Sequence, residues 1–292
     1  MAQLVVNAGG SATKVAALES GQITHSLFQS ANFQSVGVEG IRVLLSDITK
    51  QLKAKSSEYS VIAGFAGAVN DRDFALIKDA FIQQGFVESR IEVTGDIDLY
   101  LKAVAPGTIL LVSGTGSIGA VVVGGKVVRV GGYGPLTGDK GSGVELGRDA
   151  IRQALLGSDG RIPATVLTQA VADFFNLKHI SEVIRPLHNG TISVTQIAAL
   201  SPLVFKAARE NDHAALSIIR LCAQGLASIL SVLLKKTAEA QPKVALCGGL
   251  FEGDSREMLF GLLREELGIP CEYSFFGERP SDLNLMQALI SR

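Results

Sequence analysis

Two turns rich in glycine and hydroxyls carry the residue types in this chain best suited to chemistry. Asn7-Ala8-Gly9-Gly10-Ser11-Ala12-Thr13-Lys14 follows a short apolar strand, and Ser113-Gly114-Thr115-Gly116-Ser117 follows another, Ile109 to Val112. Such turns expose backbone N–H groups and let a phosphate approach closely, because glycine has no Cβ to stand in the way. Either turn alone is an ordinary hairpin. As a pair they suit a phosphate chain held from both sides of a cleft. The holding groups would be the backbone at Gly9, Gly10, Gly114 and Gly116 and the hydroxyls of Ser11, Thr13, Thr115 and Ser117. The first turn is not a P-loop, since no Gly-Lys-Ser/Thr follows and no helix starts there. A third glycine pair, Gly248-Gly249, also follows an apolar strand. It leaves room for a flat base or a ribose, and a helix-entry turn is the plainer alternative. Together these are parts that a nucleotide-dependent phosphotransferase needs.

Asp96 ends a strand in Val93-Thr94-Gly95-Asp96, where the cleft would lie. A carboxylate there suits a general base that takes a proton from an attacking hydroxyl. Asp98 is the second candidate, and helix capping is the alternative role for Asp96. Asp139, in Gly138-Asp139-Lys140-Gly141-Ser142-Gly143, is placed to hydrogen-bond a substrate hydroxyl or to cap the helix that follows. Asn32 offers a donor and an acceptor to a polyol, although a loop Asn commonly closes an Asx turn.

The elements that must position these groups follow from periodicity. Ala2 to Val6, Lys14 to Glu19 and Ile23 to Ser30 read as a three-stranded meander, with a hairpin turn at Ser20-Gly21-Gln22. Val38 to Lys53 and Asp73 to Gln84 read as helices, and Ser60 to Phe65 and Arg90 to Val93 as strands. The meander pattern recurs from Thr108 to Val130. Helices are then expected over Val144 to Leu156, Ala164 to Phe175, Val194 to Arg209 and Asp212 to Ala240. A strand over 242–249, a helix over Ser255 to Leu267 capped by Asp254-Ser255, and a last helix over Leu283 to Ser291 complete the chain. The fold expected is a duplicated α/β core with a central cleft, the second domain enlarged by helices. The boundaries are 1–105 for the first domain, joined by the C-terminal helix 280–292, and 106–279 for the second, with a hinge at Ala105-Pro106-Gly107.

Composition narrows the function classes. The 292 residues are 47% hydrophobic and 19% charged, which builds a large core and argues against disorder. A net charge of −1 argues against a nucleic-acid partner or an anionic membrane surface. The opening Leu4-Val5-Val6 is too short for a signal peptide. The apolar stretch Ala214 to Leu234 is broken by Arg220 and Gln224, so it reads as core rather than as a membrane span. Cys222, Cys247 and Cys271 match no metal or cluster spacing and point to a reduced, cytoplasmic protein. The four histidines show no metal spacing, and no Gly-x-Ser-x-Gly elbow supports an acyl hydrolase.

These motifs together resemble the N-acetylglucosamine kinase and BadF/BadG/BcrA/BcrD ATPase family, within the sugar kinase, Hsp70 and actin superfamily. The likeness is strongest in Ser113 to Ser117, Gly131-Gly132-Tyr133-Gly134 and Gly138 to Arg148, and extends to Gly64-Phe65-Ala66-Gly67-Ala68. It implies two ribonuclease-H-like, actin-like ATPase domains, with sugar and phosphate on the first and nucleotide on the second. It also implies transfer of the γ-phosphoryl of ATP to an amino sugar such as N-acetylglucosamine or glucosamine, with Mg²⁺ bridging the phosphates. By the same likeness Asp96 is the catalytic base, and Asn32, Gly67, Gly132 and Asp139 lie at the sugar. Gly248-Gly249 lies beside adenosine, and homodimers are common in the family. Three positions depart from the family pattern: Asn7 replaces the Asp that holds hydrated Mg²⁺, Lys140 replaces a Glu, and Ile118 replaces an Asn. Asn7 would reach metal only through water. These departures leave two further readings open, a sugar- or nucleotide-binding regulator with little turnover and an ATPase that energises a partner protein. The electron-transfer branch needs cluster-holding cysteines, which this sequence does not supply.

Overall fold

The computed structural model describes residues 2–237 and 241–275 together with Met286, Leu289 and Ile290. The helix expected over 283–291 falls mostly outside the described residues. The chain divides into two compact units at Pro106 and Gly107, and Met286, Leu289 and Ile290, all buried, group with the first.

The first unit begins with β1 (Ala2–Ala8), β2 (Ala12–Glu19) and β3 (Gln22–Gln29), an antiparallel meander. Its second turn is tight because Ser20 and Gly21 both take positive φ, the geometry that matches the natural twist of the strands. α1 (Phe33–Gln51), β4 (Tyr59–Phe65), α2 (Asp71–Gln83), β5 (Ile91–Gly95) and α3 (Asp96–Ala103) follow. The sheet order is β3-β2-β1-β4-β5, with β1, β4 and β5 parallel. Side-chain alternation sends Leu4, Val6, Ala8, Val61, Ala63 and Phe65 to one face, where α1 and α2 bury Ile41, Leu45, Ile77 and Phe81 against them. Asn7 and Gly64 point to the opposite face, where α3 packs.

The second unit repeats this plan. β6 (Ile109–Ser113), β7 (Ser117–Val123) and β8 (Lys126–Gly131) form the meander, again with two positive-φ residues, Gly124 and Gly125, in the second turn. Helices α4 (Gly143–Ser158), α5 (Leu167–Phe174), α6 (Ile184–His188), α7 (Val194–Ala198), α8 (Ser201–Arg209) and α9 (His213–Thr237) come next. β9 (Lys243–Cys247), α10 (Ser255–Leu267) and β10 (Glu272–Phe275) close the described chain. The order β10-β9-β6-β7-β8 is that of the first sheet, strand for strand. All six helices from α4 to α9 therefore occupy the one crossover that α1 fills in the first unit.

The helical region of the second unit departs from expectation in places and agrees with it at α9. The helix expected over Val194 to Arg209 is two, because Ser193 caps α7 while α8 starts afresh with Pro202 in its first turn. Asp254 precedes α10 but its side chain makes no cap bond. The turn and helix over 180–188 and strand β10 were not foreseen, being too short to show a period. α9 is long and apolar enough to cross a membrane by composition alone. Its Ala215, Ile219, Leu226, Leu230 and Leu233 are instead buried in the second core.

Close helix contacts in that core rest on small residues. A Cβ at Gly147 of α4 would stand 1.9 Å from the carbonyl oxygen of Ile197 in α7. Gly147→Ala should therefore destabilise the protein by about 1–3 kcal/mol, as overpacking does. A thermal unfolding scan checks this, and an unchanged midpoint would show that the two helices yield freely.

Candidate functional site

Parallel β1 and β4 and the antiparallel return of β2 bring several chain ends to one edge of the first sheet. There lie Asn7, the Gly9–Ser11 turn, Ala66-Gly67 after β4, and Asp96 after β5. Carboxyl edges of this kind, at a change of strand order, are where open α/β sheets bind ligands. The turn closes with Gly9 N–H donating to Ala12 O and is tied down by Ser30 Oγ, which donates to the carbonyls of Gly9 and Gly10. Gly10 and Ser11 are exposed, and a Cβ on Gly10 would meet nothing within 4 Å. The hydroxyl of Thr13 points elsewhere: it is fully buried and donates to Gln29 O, so it holds the hairpin rather than a phosphate.

Asp96 is the first residue of α3, with Gly95 as the cap residue. Its Oδ1 accepts from Ile97 N–H at 3.0 Å, and the half-buried carboxylate sits at the positive end of a helix. Asp98 lies in the same turn. What sets the position of Asp96 is Gly64, where a Cβ would lie 2.8 Å from Leu99 Cβ and 3.1 Å from Asp96 Cα. The helix rests on bare backbone.

Asn32 caps α1 by accepting from Gln34 N–H at 3.0 Å. It also touches the strand edge: a Cβ on Gly67, at φ +82°, would meet its Oδ1 at 2.4 Å. Phe33 N–H donates to Ala66 O and Gln34 Nε2 to Gly67 O, so the two loops are laced together. The structure thus joins Asn32 and Gly67, two positions picked for a sugar, in one patch of the first unit.

In the second unit the turn 114–116 is held differently. Gly114 N–H donates to Gly116 O, and the carbonyls of Gly114 and Thr115 accept from Gly143 and Val144, the first N–H groups of α4. Two buried hydroxyls bind the loop beneath: Ser113 Oγ donates to Gly141 O at 2.6 Å and Ser117 Oγ to Lys140 O at 2.7 Å. Ser117 is therefore corrected in the same way as Thr13, its proton being spent inside the fold. Gly248, at φ +96°, presses so close to β6 that a Cβ would lie 2.4 Å from Ser113 O, and exposed Gly249 faces open space 3.9 Å from the Cβ position of Gly114. The turn 114–116 and the glycine pair are neighbours.

Asp139 sits beneath that turn and does not cap α4, a role taken by Ser142. With φ +55° and 9% exposure, it accepts from Gly134 N–H and from the backbone of Ser117, and its Oδ2 is 2.9 Å from where a Gly116 Cβ would be. Burial raises its pKa, only partly offset by those N–H donors and by Arg148. Gly132 is exposed and shielded on one side by Ile118. Lys140 pairs with Glu145, whose other oxygen accepts from Gly141 N–H at 2.6 Å. Glu145 lies outside the residues expected at the site, although Ser142-x-x-Glu145 is a recognisable capping pattern.

Comparisons with known proteins give the family and the fold. The model of the BadF/BadG/BcrA/BcrD ATPase family matches residues 6–268. The chain is 28% identical over 257 residues to an N-acetylmuramic acid/N-acetylglucosamine kinase of Clostridium acetobutylicum, covering 82% of each protein. It is 26% identical over 251 residues to an N-acetyl-D-glucosamine kinase of Dictyostelium discoideum, covering 79% of this chain and 78% of that one. Among solved structures, one assigned as an N-acetylglucosamine kinase from Porphyromonas gingivalis superposes with a TM-score of 0.79 at 18% identity, covering 99% of both chains. A glucokinase from Streptomyces griseus gives 0.60 at 16%, covering 98% of both. The structural likenesses establish the actin-like sugar-kinase fold.

The raised pKa of Asp139 gives a stability test. Folding favours the protonated form, so the side chain's contribution is greatest below the unfolded value and is lost as pH rises through the folded one. Asp139→Asn keeps an acceptor and tolerates the positive φ. Its unfolding free energy relative to the parent should rise as the pH is taken upward from about 4, the ordinary carboxylate range. A difference that stays flat across that range would show that the carboxyl is not held above its ordinary value.

Proposed function

Because the chain belongs to the BadF/BadG/BcrA/BcrD ATPase family, we propose that it is an ATP-dependent kinase of an amino sugar, N-acetylglucosamine or a close relative. The observation that carries this reading is the repeated sheet edge. Each unit sets an open glycine turn at the carboxyl end of its first strand, and the first unit adds a carboxylate at the head of a helix. The printed names of the curated relatives support the sugar class.

In this reading each unit contributes its own phosphate contacts, the amides around Gly10 and Ser11 on the first and those around Thr115 and Gly116 on the second, where Gly248-Gly249 gives the nucleoside room. Asn32 and the Gly67 backbone bind the sugar. Asp96 accepts the proton of the attacking hydroxyl. Phosphoryl transfer needs positioning and charge neutralisation more than covalent help, which suits a site built of backbone amides and one base. When bound, Mg²⁺ would supply charge neutralisation on the phosphates. The described residues contain no group of three His, Cys, Asp or Glu able to hold a metal directly. Asn7 fits a water-mediated contact, since its Oδ1 is buried with no hydrogen-bond partner among the described residues.

Asp96→Asn should lower kcat by about a hundred- to ten-thousand-fold while the KM for sugar changes little, read as ADP release dependent on N-acetylglucosamine. Full activity in this variant would remove Asp96 from the chemistry. Parent protein that binds sugar and nucleotide yet releases no ADP would instead support the regulator reading.

Gly10 and Gly249 separate folding from binding, because each has open space and neither takes a positive φ. Gly10→Val and Gly249→Val should unfold at the parental temperature but bind ATP on the order of ten-fold more weakly by calorimetry, having lost the close backbone approach. Parental affinity in both would place the nucleotide elsewhere.

A further inference from the structure

Resting on that reading, we infer that Tyr100 is a positioning residue that ties the base-bearing helix to the end of β1 and aims the Asn7 amide. Tyr100 stands one helical turn after Asp96 on α3 and is buried. Its Oη accepts from Asn7 Nδ2 at 2.5 Å, across 93 positions of sequence. Asn7 is 3% exposed and lies beside Gly64, where the missing side chain admits α3. One polar contact thus links the strand that leads into the Gly9–Ser11 turn with the helix that begins at Asp96.

The geometry of the amide makes this more than core packing. A buried tyrosine hydroxyl needs a polar partner, and many groups serve that need. Here the partner is a carboxamide whose other atom, Oδ1, is buried without a partner among the described residues. An unsatisfied buried acceptor is costly, and such groups concentrate where a ligand completes them. An aspartate at position 7 would present two equivalent acceptors and need no orientation. An asparagine has one acceptor and one donor, so something must decide which way it faces. Tyr100 takes the donor and leaves the acceptor for the ligand side.

Tyr100→Phe keeps the ring and deletes the hydroxyl. It leaves the Asn7 amide donor unpaired, so the unfolding midpoint should fall by a few degrees, while kcat falls about ten-fold and the KM for sugar stays within about two-fold. Calorimetry with ADP adds a readout independent of turnover: the gain in affinity on adding Mg²⁺ should shrink several-fold, while metal-free ADP binds as in the parent. Asn7→Ala removes the same contact from the strand side, and the Asn7→Ala/Tyr100→Phe double variant should be no worse than Asn7→Ala alone. Parental kcat together with a parental Mg²⁺ effect in Tyr100→Phe would overturn the inference, as would losses that simply multiply in the double variant. The outcome is distinct from the kinase reading itself, which stands or falls on sugar-dependent ADP release by the parent.

Discussion

One strand in each sheet, β1 or β6, pairs antiparallel with the strand that follows it and parallel with the strand that returns after the crossover. This double pairing fixes what lies at its carboxyl end. The antiparallel neighbour must start there, so the connecting turn is there. The parallel neighbour must end there, so the loop after the crossover strand is there too. Two segments then converge on a few ångströms of space, and at the tightest points, Gly67 and Gly248, no side chain fits. Gly248 against Ser113 O and Gly67 against Asn32 record that crowding in the two units. Backbone N–H groups concentrate at the same edge, which is why it suits phosphate.

The same constraint separates rigidity from specificity. In the second unit the turn is fastened from below by Ser113, Ser117 and Asp139, and from behind by the first N–H groups of α4. The hydroxyls of Thr13 and Ser117 are structural ties, whereas Ser11 is exposed and Thr115 half-buried, so the proposed recognition falls to the backbone and to those two groups. The first unit uses a lighter fastening through Ser30, and α3 lies on the bare Gly64 backbone. A buried carboxyl with a raised pKa, Asp139, is accepted in exchange for locking two loops with one side chain.

The repeated meander was legible in the sequence because period-two strands and glycine turns have strong local signatures. So were α1, α2, α4 and α9, whose apolar faces repeat over several turns. The split of 194–209 was not legible, since both pieces carry the same helical period and only Pro202 hints at a restart. The glycine turns and Asp96 could be picked out by residue type. The commitments of Thr13, Ser117 and Tyr100 could not, because their partners lie 16, 23 and 93 positions away and only the fold brings them together.

The most direct measurement is an experimental structure with a non-hydrolysable ATP analogue and N-acetylglucosamine bound together. The account predicts phosphate oxygens within hydrogen-bond reach of the amides at Gly10–Ser11 and Thr115–Gly116, and a sugar hydroxyl about 3 Å from the Asp96 carboxylate. Phosphates held away from both glycine turns, or a sugar with no hydroxyl facing Asp96, would contradict it.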